Sequence, residues 1–252
     1  MLLLFDVGNT HTHVGLAKGR RILRTVDLAT AEWRSGAAAT GLAEFLGKAP
    51  VDSAAIASVV PKATPFIRRW LRQRKIPAAY ELHAGTVAGV GIDYPNPSGI
   101  GADRLANAVA VRHRFGAPAL VVAFGTAVAF DVVDPDGNYV GGVIAPGLSA
   151  MTDYLHEKTA LLPRIEIREP RGVIGKSTEH AMLVGAVHGY RGLVREIILR
   201  LKDELGVKKL PVVATGGYAR LIAARLPEIS AVVPNLTLEG LRLSFESSLR
   251  TP

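Results

Sequence analysis

Two short segments concentrate the residues that could hold a phosphate. In the first, the apolar run Leu2-Leu3-Leu4-Phe5 breaks into Asp6-Val7-Gly8-Asn9-Thr10. A buried strand there delivers a carboxylate, a glycine and two small hydrogen-bonding side chains. Gly8 lets the backbone approach an anion, exposed N–H groups and the Thr10 hydroxyl can donate to its oxygens, and Asp6 can hold a hydrated Mg2+ beside it. The competing reading is a polar turn between strands, for which Asn and Gly are ordinary choices. The second segment is a weaker echo, Leu120-Val121-Val122-Ala123-Phe124-Gly125-Thr126. The same strand-to-glycine design used twice suggests a duplicated fold with a nucleotide between its halves.

Other segments offer chemistry with open alternatives. Gly101-Ala102-Asp103-Arg104 precedes an apolar helix. Asp103 reads either as an N-cap or as a carboxylate base beside an arginine for a charged substrate, since an alcohol attacking a phosphate needs a base within hydrogen-bond reach. The preceding Tyr94-Pro95-Asn96-Pro97 could wall a substrate. Gly175-Lys176-Ser177 resembles the end of a phosphate-binding P-loop, but position 170 holds Pro170 where that motif needs glycine, so a helix start with Lys176 exposed is the expectation. Thr215-Gly216-Gly217 suits either a flat adenine on the backbone or a structural turn. His11 and His13 fall on one face of a strand without a third ligand nearby, and no histidines show metal-ligand spacing, so no resident metal site is expected. With no cysteine, disulfides, thiolate sites and thiol nucleophiles are excluded.

These residues need elements to position them. Strands are expected at 2–7, 12–17 and 21–28, a helix at 31–47, a strand within 51–60, a basic amphipathic helix at 61–75 and a strand at 77–82. A Gly/Pro-rich loop spans 85–101, long enough to be functional. A helix follows at 104–115. The pattern then restarts with strands at 119–124, 127–133 and 139–144, helices at 146–158 and 177–204, a strand at 212–214, a helix at 218–225, a short strand near 231–233 and a helix from 236. Three strands followed by helices therefore occur twice, which divides the chain into expected domains 1–115 and 116–252.

The 252 residues are 48% hydrophobic, ample for a core. No apolar run approaches the ~18 residues that span a bilayer. The N-terminal run enters a turn too soon for a signal peptide, so a cytoplasmic protein without membrane association is expected. A net charge of +8 fits anionic small molecules or nucleic acid. The arginines at 68–75 recur at helical spacing without interleaved aromatics, which favours a solvated helix face over a nucleic-acid surface.

The ordered set Asp6-Val7-Gly8-Asn9-Thr10, Gly101-Ala102-Asp103-Arg104, Phe124-Gly125-Thr126, Gly141 to Gly147, Gly175 to Thr178 and Thr215-Gly216-Gly217 resembles the type III pantothenate kinases of the acetate kinase, sugar kinase and actin superfamily. The resemblance implies an α/β protein of two RNase H-like domains, with duplicated mixed five-stranded sheets and flanking helices, ATP with Mg2+ in a cleft, and a homodimer. It implies transfer of the ATP γ-phosphoryl group to pantothenate. It makes Asp103 the catalytic base, puts Asp6, Val7, Gly8, Asn9, Thr10, His11, Thr12, His13 and Thr126 at ATP, and puts Tyr94, Gly101, Ala102, Asp103, Arg104 and Thr178 at pantothenate. The family also uses a monovalent cation, K+ or NH4+, on an aspartate where this chain has Ala123. An alanine offers a cation no oxygen, so a non-catalytic nucleotide- or pantothenate-binding relative stands as the alternative. A nucleic-acid-processing RNase H-like enzyme ranks lower, because such enzymes converge several carboxylates on two metals.

Overall fold

The computed structural model describes residues 1–250. Contacts divide the chain into two units, one of residues 1–116, 137–139 and 235–250, the other of 117–136 and 140–234.

In the first unit, β1 (Leu2–Val7), β2 (His11–Lys18) and β3 (Arg21–Ala29) form an antiparallel meander, and β4 (Ser53–Ser58) and β5 (Ala78–Leu82) extend it in parallel. The order is β3-β2-β1-β4-β5. Side chains alternate across β1. Leu3, Phe5 and Val7 join a core with Trp33, with Leu42 and Leu46 of α1 (Ala37–Leu46), and with Ile67, Trp70 and Leu71 of α2 (Thr64–Gln73). Asp6 alternates to the opposite face.

Helices α3 (Ala102–Phe115) and α7 (Leu236–Ser248) pack on each other, and both also touch β4 and β5. They approach closely enough that a Cβ on Gly240 would lie 1.8 Å from the carbonyl oxygen of Ala106. The C-terminal helix thus completes the unit that the N-terminus begins, although by sequence it follows the other half.

The helix expected at 31–47 differs at its start. Residues 30–33 form one 3-10 turn, and the α-helix begins only after Gly36, whose φ of +88° suits glycine. The expected loop 85–101 contains a two-residue strand, β6 (Gly91–Ile92), which pairs in parallel with Asn138 and Tyr139, and a 3-10 turn at Pro97–Gly99.

In the second unit, β7 (Ala119–Phe124) pairs antiparallel with β8 (Ala127–Val133), and β9 (Asn138–Pro146) follows. On its other side β7 pairs in parallel with β10 (Val212–Gly216), which pairs with β11 (Ala231–Val232). The order β9-β8-β7-β10-β11 repeats that of the first sheet, with β7 antiparallel to β8 and parallel to β10 as β1 is antiparallel to β2 and parallel to β4, and β6 adds a sixth strand beside the start of β9.

Helix α4 (Leu148–Lys158) follows β9, and α5 (Thr178–Glu204) runs for 27 residues. The α5 stripe Leu183, Val187, Tyr190, Val194 and Ile198 packs against Leu120, Val122, Phe130 and Val132, beside α6 (Ala219–Ala223).

Candidate active site

Asp6 reaches its place because β1 alternates. Its neighbours Phe5 and Val7 are fully buried, while Asp6 is half-buried on the opposite face. Asp103 comes to the same place from α3. The helix starts at Ala102, with Gly101 as its N-cap, so Asp103 lies inside the first turn rather than at the cap. Its Oδ1 accepts a hydrogen bond from the Arg104 N–H at 2.9 Å. Glycine at 101 leaves room for that carboxylate, since a Cβ there would lie 2.5 Å from Oδ1.

The charge of Asp103 reaches Asp6. Burial, then the charge of Asp103, push the Asp6 carboxyl up to about 7, while His13 opposes them. Burial also raises Asp103, against the pull of the Arg104 N–H and guanidinium. Two carboxyl groups held together at raised affinity for protons form a site short of positive charge.

Among the described residues no group of three or more His, Asp or Glu side chains could hold a metal ion. Asp6 nevertheless fits Mg2+, which takes one or two carboxylates and completes its shell with water and substrate phosphates.

The turn after β1 is pinned from behind. Gly8 N–H donates to the His11 carbonyl at 3.0 Å, and Thr30 Oγ1 donates to the Gly8 carbonyl at 2.7 Å. Thr12 is buried, and its hydroxyl bonds Thr30 Oγ1 and accepts from Trp33 Nε1, both at 3.0 Å. Val7 is buried in the core as well. The side chains of Val7 and Thr12 therefore hold the turn in shape, whereas Asn9, Thr10, His11 and His13 are exposed. His13 Nδ1 pairs with Asp27.

The second turn is built from crowded backbone. Gly125 and Thr126 are exposed. Gly147, the N-cap of α4, donates its N–H to the Thr126 carbonyl at 3.1 Å, and a Cβ on it would lie 2.3 Å from that oxygen. A Cβ on Gly216 would lie 2.3 Å from the Phe124 carbonyl oxygen. The glycines at 147 and 216 thus let three chain segments converge on this turn and bring the N–H groups of the α4 N-terminus beside Thr126.

Ala123 stands two residues before Gly125 on β7, cross-strand from Ala129 and Thr215. Thr178 is the first residue of α5 and is exposed, with Ser177 as a true N-cap that accepts from the His180 N–H at 3.1 Å. Lys176 is exposed, as expected of a helix start.

One residue of the site escaped sequence reading. Tyr94 is half-buried, with its ring centroid 6.0 Å from that of Tyr139, and the Arg104 guanidinium sits 5.5 Å from the centre of the same Tyr139 ring. The short β6 pairing brings Tyr139 there, and the Asp93 N–H donates to its carbonyl at 3.0 Å. Only that two-residue strand could have signalled it.

Residues 2–200 match the sequence model of the type III pantothenate kinases. A type III pantothenate kinase of Methylacidiphilum infernorum is 45% identical over 97% of this chain and 88% of its own length. One from Akkermansia muciniphila is 48% identical over 96% and 97%. The chain belongs to the type III pantothenate kinase family.

Solved structures extend the likeness of fold. A protein described as a Baf family transcriptional activator from Campylobacter jejuni aligns over 98% of this chain and 99% of its own, with a TM-score of 0.58 at 15% identity. An inorganic polyphosphate/ATP-glucomannokinase from Arthrobacter aligns over 99% and 98%, with a TM-score of 0.51 at 15% identity. With the repeated strand order, these neighbours make the family member a duplicated RNase H-like α/β protein. Among the described residues no helix is long and apolar enough to cross a membrane.

Proposed function

We propose that this chain transfers the γ-phosphoryl group of ATP to the hydroxyl of pantothenate, giving 4'-phosphopantothenate and ADP, the first step of coenzyme A synthesis. The observation that carries the proposal is the Asp6–Asp103 pair: two carboxylates at the end of a strand and the first turn of a helix, beside an arginine. Asp103 accepts the hydroxyl proton as that oxygen attacks phosphorus, and its raised proton affinity brings it nearer the working pH than a free carboxylate. Asp6 would hold Mg2+, which would neutralise phosphate charge when bound with ATP.

The residues that hold the phosphates are Gly8, Asn9, Thr10, His11 and His13, with Val7 and Thr12 behind them, and Thr126 beside the α4 N-terminus. Arg104 pairs with the pantothenate carboxylate, with Tyr94, Gly101, Ala102 and Thr178 as further contacts. Such a reaction is mostly positioning and charge neutralisation, which these groups supply.

The enzyme acts in the cytoplasm as a homodimer. Exposed Met151, Tyr154 and Leu155 on α4, with Leu161 after it, support an apolar contact face. Ala123 favours a second reading, a non-catalytic relative, because the family's monovalent cation loses its carboxylate there. A coupled ADP-release assay with pantothenate, run with and without K+ or NH4+, decides between them. ADP release that depends on pantothenate upholds the kinase, while binding without turnover in every salt upholds the relative.

A further inference from the structure

The second unit holds a cavity of about 420 Å3 lined by Glu169, Pro170, Val173, His188, Arg191 and Arg195, with Arg225 and two glycines, Gly172 and Gly192, completing the wall. We propose that it binds a small organic phosphate. The proposal is independent of the kinase reading.

One face of α5 builds the site. His188, Arg191, Gly192 and Arg195 recur at i, i+3, i+4 and i+7 and so point the same way. Gly192 has open space where a Cβ would stand, so it leaves volume between the cations rather than filling it.

Arg191 is only 6% exposed. Its two terminal nitrogens grip Glu169 at 3.0 and 2.6 Å, and one also donates to the Leu221 carbonyl at 2.7 Å. Its Nε has no hydrogen-bond partner among the described residues. Arg195 donates to Glu228 at 2.9 Å. Arg225 makes no hydrogen bond or ion pair through its side chain among the described residues; the Arg191 hydrogen bonds chiefly hold Glu169 below the usual carboxylate range, and the charge of Arg225 adds to them.

Three guanidinium groups therefore line one hollow that contains a single carboxylate. Glu169 already satisfies Arg191, which leaves Arg225, with His188 beside it, for an outside anion. Guanidinium groups match phosphate oxygens in geometry as well as charge. Pro170 and Val173 supply an apolar side, and the volume is that of a small-molecule pocket. An anion with a compact apolar body fits better than phosphate alone.

The test titrates inorganic phosphate and phenyl phosphate into the full chain and follows the Nε–Hε resonances of Arg191, Arg195 and Arg225. Phenyl phosphate should shift all three, at lower concentration than inorganic phosphate does. Arg225→Ala should weaken its binding about tenfold, a loss of about 1.4 kcal/mol. Gly192→Leu should abolish it by filling the cavity, and Gly192→Ala should retain it and serve as the folding control. All three variants should keep the parent's ADP release. Resonances that stay unmoved at millimolar phenyl phosphate overturn the proposal, as does equal affinity in Arg225→Ala, or in a folded Gly192→Leu.

Discussion

The guanidinium of Arg104 lies over the ring of Tyr139, 5.5 Å from its centroid. Arg104 follows the proposed base directly in α3, so the ring that holds it sets where a carboxylate of the substrate would dock. Cation–π contacts contribute from about 0.5 to 2 kcal/mol, more as water is excluded. Tyr139→Phe should retain pantothenate affinity, whereas Tyr139→Leu should raise the KM for pantothenate several-fold with a smaller effect on kcat. Equal KM values for Tyr139→Leu and the parent would remove Tyr139 from the site.

Asp103→Asn should lower turnover by about 10²–10⁴-fold, the usual worth of a positioned general base. ATP affinity, read by calorimetry, should stay near that of the parent, because the substitution keeps the side-chain oxygen that accepts from Arg104. Parent-like turnover would sink the assignment.

The stability of the free protein should depend on pH through Asp6. Its carboxyl rises from 3.8 to about 7 on folding, so between those values the folded chain keeps a proton that the unfolded chain releases. Stability is therefore highest below about pH 4 on this account and falls as pH rises to about 7. Thermal unfolding at pH 5 and pH 8 should show that fall, and Asp6→Asn should shrink it. Some slope should remain, because Asp103 is raised by burial as well. Added Mg2+ should restore stability at pH 8 in the parent more than in Asp6→Asn.

Ala123→Asp tests the altered second turn. If the missing carboxylate limits the enzyme, activity and dependence on K+ or NH4+ should rise together in the variant. A variant with unchanged rate and salt response shows that the turn works without that ligand.

Gly240→Ala probes the closest contact between α3 and α7. The added methyl would stand 1.8 Å from the Ala106 carbonyl oxygen, so the helices must separate. Overpacking of this kind costs about 1–3 kcal/mol or more. The melting temperature should drop by several degrees. A matched change at Gly189, where a Cβ meets nothing, should not lower it.

Much of this architecture was legible because the signals are local. Apolar runs ended by glycine gave β1 and β7, and the helical stripe from Leu183 to Ile198 gave α5. The site was less legible. Asp6 and Asp103 each carried a motif, but their meeting depends on which face of β1 Asp6 takes and on α3 starting before Asp103. Tyr139 carried no motif at all, because its role comes from a strand of two residues. Thr12 looked like a ligand and is a buried brace, a distinction made only by the distant Thr30 and Trp33.

The packing of α7 against α3 also sets an order of events during synthesis. The second unit uses no residue after 234, but the first needs residues 235–250. The first unit thus cannot be completed until residues that follow the second unit have been made. Until α7 emerges, the α3 surface that Gly240 covers stays bare, while every residue of the second unit has already been made.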